Sequence, residues 1–98
     1  MKAVALICRR LILAADVFVE ISVWRVPQAV SPSDHLFKYR LAYGVDGECV
    51  LRYDNERGKG AHRHAGAEEL SYDFSTPDQL MIDFSADIVR WNDEHGRA

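Results

Sequence analysis

The chain has few of the features that announce a specialised class. Its hydrophobic start is broken by Lys2, Arg9 and Arg10, so no apolar run approaches the ~18 residues that a membrane-spanning helix needs. No small-residue cleavage site follows a long apolar core, and the start reads as a strand, not as a secretory signal. No membrane association is expected. Cysteine is scarce, with only Cys8 and Cys49, which excludes a disulfide-built scaffold; on predicted strands the pair reads as reduced core thiols of a cytoplasmic protein. Positive charge is also in deficit: 12 Lys and Arg stand against 15 Asp and Glu, a formal charge of −3. A protein that coats nucleic acid with its whole surface is excluded, and any phosphate contact must be local. Repeats and low-complexity linkers are missing. With 98 residues, 48% of them hydrophobic, residues 1–98 are expected to form a single domain around one core.

What is present is mostly strand-forming. Ala3 to Leu13 is a candidate buried strand, and Ala14-Ala15-Asp16 a turn. From Val17 to Val26 the alternation is regular: Val17, Val19, Ile21 and Val23 share one face, while Phe18, Glu20, Ser22 and Trp24 share the other. Pro27 stops this strand, since it cannot donate to a ladder, and residues 28–35 form a loop. A third strand spans Phe37 to Val45 and a fourth Cys49 to Asp54. A two-residue Asp46-Gly47 turn would mix wet and dry side chains, so the expected pairs are Val45 with Cys49, Tyr43 with Leu51, Leu41 with Tyr53, Arg40 with Asp54 and Lys38 with Glu56. That register demands a loop of three or five residues with a bulge. Glu69 to Phe74 alternates as a short fifth strand. Thr76-Pro77-Asp78-Gln79 is a helix start with an N-cap, a proline at the first helical position and a capping-box glutamine. Leu80, Phe84, Ile88 and Trp91 then recur on one face of a helix from Pro77 to about Asp93, with Asp83 and Asp87 on its wet side. The fold class is α+β: a four- to five-stranded antiparallel meander with the helix packed on one face.

The stretch Tyr53-Asp54-Asn55-Glu56-Arg57-Gly58-Lys59-Gly60-Ala61-His62-Arg63-His64 stands out. It gathers carboxylates, cations, glycines and histidines where the rest of the chain is apolar. His62 and His64 are two apart, so in an extended segment both rings point to one side. In a proton-transfer reading one is the base and the other the acid, with Lys59 and Glu56 as further catalytic candidates. Arg57, Lys59 and Arg63 would then hold phosphate beside the close-approaching backbone of Gly58 and Gly60. In a metal reading, Asp54, Glu56, His35 or Glu68 completes the ligand set. In the plainest reading this is a solvated loop, with Asp54 and Glu56 serving Arg40 and Lys38 across the ladder. Trp24 and Tyr39 read as core or half-core residues before they read as a platform for bases.

Trp24-Arg25-Val26-Pro27, Phe37-Lys38-Tyr39, the run YDNERGKGAHRH and the C-terminal amphipathic helix together resemble the TumE family, toxins of bacterial and archaeal toxin–antitoxin pairs. The resemblance implies the toxin of a type II pair, with a helix-turn-helix antitoxin encoded by the adjacent gene as partner. Many small toxins of such pairs cut RNA, and by that analogy the expected activity is a metal-independent ribonuclease that uses residues 53–64 and no cofactor. The alternatives are a docking module for protein or nucleic acid, and a metal-dependent nuclease. Phe18, Trp24 and Val26 on one side of the sheet, and Ile82 and Val89 on the helix flank, add the expectation of a homodimer or a protein partner.

Overall fold

The computed structural model describes residues 2–32, 35–56, 58 and 60–97, apart from the side chain of Glu56. Its strands are β1 (Val4–Ala14), β2 (Val17–Arg25), β3 (Phe37–Val45), β4 (Glu48–Glu56), β5 (Gly60–Ala65) and β6 (Glu68–Ser71), followed by the helix α1 (Pro77–Glu94). All six strands form one sheet in sequence order, each antiparallel to the next. The α+β class is as expected, with one strand more than the longer count. The additional strand is β5, which the sequence suggested only as a histidine-bearing stretch beyond β4. It pairs with β4 from Glu56↔Gly60 to Leu51↔Ala65, and so satisfies backbone groups that would otherwise lie unpaired along that edge.

The β3–β4 register holds at Leu41↔Tyr53, Tyr43↔Leu51 and Arg40↔Asp54, but the loop does not. Val45 faces Glu48, leaving Asp46 and Gly47 as a two-residue turn with φ of 54° and 78°. Two positive φ values in succession match the right-handed twist of the flanking strands. The bulge sits inside β4, where the ladder shifts between Tyr43 and Gly44 and Val50 is the extra residue. It returns Leu51 and Tyr53 to the core side. At the far end of this hairpin, buried Asn55 takes over from the ladder. Its Oδ1 accepts the Tyr39 N–H at 2.9 Å, and its Nδ2 donates to the Phe37 carbonyl at 2.7 Å.

Alternation gives the sheet two unlike faces. Val17, Val19, Val23, Tyr39, Leu41, Tyr43, Leu51 and Tyr53 form the core with Leu80 and Phe84 of α1. Each such side chain contributes roughly 1.5–3 kcal/mol by leaving water. Thr76 caps the helix by accepting the Gln79 N–H at 3.1 Å, while the Gln79 side chain turns to Asp83 instead of closing the capping box. Trp91 meets Tyr43 edge-on at 5.9 Å. On the opposite, helix-free face, the Phe18 ring lies over Gly44, where a Cβ would fall 1.9 Å from Phe18 Cε1. Arg10 caps that ring from 5.1 Å.

Two expectations about burial are corrected. β1 is an exposed edge strand, not a buried one, with Val4, Leu6, Leu11, Ile12 and Leu13 all open to solvent. It has a neighbour on one side only, and a hydrophobic sequence cannot report its place in the strand order. Cys8 and Cys49 are free and exposed, not core thiols.

Candidate active site

The β4–β5 register sets Asp54 opposite His62 and Arg52 opposite His64. All four side chains therefore stand on the helix-free face. In the register of the whole sheet, one row across that face runs Cys8, Ser22, Arg40, Asp54, His62, Ser71, and the next Arg10, Glu20, Ala42, Arg52, His64, Glu69. β5 is extended, so the two histidines share one side as their spacing requires. Their ring centroids are 4.9 Å apart, edge to face.

The partners of the two rings differ in kind. Nδ1 of His62 lies 2.9 Å from the Gly60 carbonyl, which can only accept, so this nitrogen carries a proton. Its Nε2 lies 2.8 Å from Asp54 Oδ1 and 3.8 Å from Glu69 Oε1. Nε2 of His64 lies 2.9 Å from Arg52 Nη2. A guanidinium can only donate, so this nitrogen is the acceptor of the pair.

The cluster also contains unfinished hydrogen bonding. His62 is 5% exposed. Its Nε2, Asp54 Oδ1 and Arg52 Nε are buried without an aligned hydrogen-bond partner, although Arg52 Nε is 3.1 Å from Asp54 Oδ2. These are ion-pair contacts at short range and poor angle. Buried polar groups without an aligned partner are uncommon in folded proteins. A ring nitrogen from each histidine and a Glu69 carboxylate oxygen also lie within 4.8 Å of one another, a grouping able to hold a metal ion.

Other candidates fall elsewhere. Arg63 points to the helix-covered face, where its Nη1 donates to Asp87 Oδ2 at 2.7 Å; the fold does not bring it to the histidines. Arg57, Lys59 and the side chain of Glu56 lie outside the described residues. The Gly58 N–H donates to the Ser31 carbonyl at 2.7 Å, and Gly60, with φ of 78°, packs where a Cβ would come within 3.1 Å of Pro32. Both glycines thus fasten the turn to the loop before β3. His35 packs on Phe74 with ring centroids 4.2 Å apart, and Glu68 is exposed one residue before Glu69; neither joins the cluster.

Sequence reasoning passed over Arg52 and Glu69, and gave Asp54 a structural partner in Arg40. The Arg40 guanidinium instead reaches Glu20 at 3.4 Å. The missed signal was a second hairpin: pairing Glu56 with Gly60 places Asp54 and Arg52 beside the histidines by counting alone. Asp87, assigned to the wet side of the helix, is buried and accepts from Tyr53 Oη, Arg63 and Arg90. Burial pushes the Tyr53 hydroxyl up to about 12, with the neighbouring Asp87 adding to the shift. The same core polar cluster includes Asp83, which accepts from Tyr72 Oη at 2.5 Å.

A protein-family model described as Toxin TumE matches residues 2–92. Comparison with curated proteins and with solved structures gives no match.

Proposed function

Because the chain belongs to the TumE family of toxins, we propose that it is the toxin of a type II toxin–antitoxin pair and that it cleaves RNA without a metal at the His62–His64 cluster. The observation that supports this reading is the unlike surroundings of the adjacent rings: Nε2 of His64 accepts from Arg52, whereas His62 donates from Nδ1 to the Gly60 carbonyl and sets Nε2 2.8 Å from Asp54 Oδ1. A substrate phosphate draws the Arg52 guanidinium away from His64, because a full negative charge outcompetes a neutral imidazole for it. The freed Nε2 then removes the proton of a 2′-hydroxyl. The 2′-oxygen attacks phosphorus, the bond to the 5′-oxygen breaks, and His62 supplies the proton that the leaving oxygen needs. The products are a 2′,3′-cyclic phosphate and a 5′-hydroxyl end.

Asp54 holds the donating ring in place, and Glu69, half exposed beside His62 Nε2, is the cover that must swing aside. Arg57 and Lys59 are assigned to phosphate, and Glu56, the last residue of β4, is kept with Lys59 as a further catalytic candidate. The partner that restrains the toxin is assigned as a helix-turn-helix antitoxin, and the site of action as the cytoplasm. No described helix is long and apolar enough to cross a membrane.

The test is induction of this protein alone, beside a His62→Ala/His64→Ala variant at equal level, with growth, total RNA and the chemistry of new RNA ends as readouts. Loss of RNA with cyclic-phosphate ends, absent in the variant, is the expected result. Growth arrest with intact RNA would refute the ribonuclease reading. The grouping of His62, His64 and Glu69 supports a second reading, a metal-dependent nuclease. An ion bound through Nε2 of His64 would have to displace Arg52, and inhibition of the purified protein by a chelator, reversed by one divalent ion, would favour it.

A further inference from the structure

We propose that the groove over β2 on the helix-free face is a track for single-stranded RNA, which enters at Trp24, passes Lys38 and Arg40, and delivers the scissile phosphate to Arg52 and His64. The substrate class rests on the ribonuclease reading above; the track rests on separate geometry. A cavity of about 750 Å³ has Cys8 and Arg10 of β1 on one wall, Ser22 and Trp24 of β2 as its floor, and Lys38 and Arg40 of β3 on the other wall. A second cavity of about 320 Å³ shares Lys38 and Arg40 and ends at Arg52 and Asp54. Those last two residues touch the histidines. The two hollows thus border one another along β3, where Lys38, Tyr39 and Arg40 line both.

Charge and aromatic placement select the occupant. Arg10, Lys38 and Arg40 face the groove with Glu20 as the single carboxylate on its lining, in a chain whose overall charge is −3. Glu20 is already shared by Arg10 at 2.7 Å and Arg40 at 3.4 Å, and Lys38 has no ion pair among the described residues. This is the local positive field that phosphate needs on an acidic protein. The Trp24 indole N–H is satisfied by Ser22 Oγ at 2.8 Å, which holds the ring among the residues that line the groove. An unpaired base stacks on such a ring irrespective of its identity, whereas a duplex has no free base face to offer. The lateral distance from β2 to β5 is about 14 Å, three strand spacings, a span for a few nucleotides in extended conformation.

Binding should be measured with the full chain carrying His62→Ala/His64→Ala, so that RNA stays intact, against a short fluorescent oligouridylate and a duplex of equal length. Trp24→Ala is expected to weaken single-strand binding about ten- to a hundredfold, with most of the affinity restored by Trp24→Phe. Lys38→Gln should weaken it and lower the slope of log affinity against log salt by about 0.7. Equal affinity for the duplex, or an unchanged affinity in a Trp24→Ala protein shown by circular dichroism to be folded, would overturn the track. So would failure of the parent to bind single strands at all, and the groove would then pass to a protein partner. Parallel cleavage assays separate the two ideas. RNA cut by Trp24→Ala with an unchanged KM removes the track and leaves the ribonuclease; Trp24-dependent binding without any cleavage leaves the track and removes the ribonuclease.

Discussion

Replacing Asp87 with alanine should destabilise the protein by about 3 kcal/mol, the size expected for removing one partner of a buried ion pair. Asp87 is 7% exposed and accepts from three donors, whose worth differs with their exposure. Arg90 binds Oδ1 at 3.0 Å, but its side chain is 62% exposed, so its contribution is close to zero. The Tyr53 hydroxyl is fully inside, and without the carboxylate it forfeits its acceptor at a cost of about 1–3 kcal/mol. Arg63 has a side chain 28% exposed; water recovers part of its loss, and about 1 kcal/mol remains. Thermal and urea melts are the assay, and for a domain of this length the loss should lower Tm by about 12–24 °C. Tyr53→Phe in the Asp87→Ala background should add less than it does alone, by about 1 kcal/mol, because the orphaned hydroxyl is then gone. A loss below about 1 kcal/mol, or strict additivity of the two substitutions, would refute the account of a buried shared carboxylate. Asp87 lies on the helix-covered face, so at a temperature where the variant is folded its RNA cleavage should match the parent's.

Asn55→Ala should cost about 2–4 kcal/mol, since it strands the Tyr39 N–H and the Phe37 carbonyl; hydrogen exchange should show the Tyr39 amide losing protection, and retained protection would contradict the cap. Gly44→Ala should destabilise by about 1–3 kcal/mol by evicting the Phe18 ring, and Phe18→Ala in the same chain should recover part of the loss in urea melts; no recovery would place the strain elsewhere. The Tyr53 hydroxyl is raised from 10.0 to about 12, chiefly by burial, and Tyr39 and Tyr72 are raised for the same leading reason. A group with its folded value above its unfolded one contributes stability that is complete below about pH 10 and is lost as pH rises through the folded value. Urea midpoints should therefore fall between pH 10 and 12, less steeply in Tyr53→Phe, and a flat profile would contradict the burial of that hydroxyl.

Local chemistry was legible in the sequence wherever the decisive neighbours are close along the chain. Alternation set the faces of β2, β3 and β4, and the demand to keep Leu41, Tyr43, Leu51 and Tyr53 together fixed their pairing even though the turn was assigned the wrong length. The error has a physical origin: a bulge moves freely between loop and strand without changing which residues pair beyond it. Thr76 and Pro77 marked the helix start because capping is a contact within one turn. The histidine pair was visible as composition and spacing, since period two needs only that the segment be extended.

Strand order and helix placement, by contrast, are settled by contacts between residues far apart in the chain, and they decided the rest. They left the apolar β1 at an edge, gave Arg63, which alternation already places opposite the histidines, its partner Asp87, and set Arg52 and Asp54 beside His64 and His62. The sequence by itself determined which side chains share a face. Only the tertiary structure decided which face meets the helix and which meets solvent, because that choice depends on the summed burial of the whole sheet and not on any one strand.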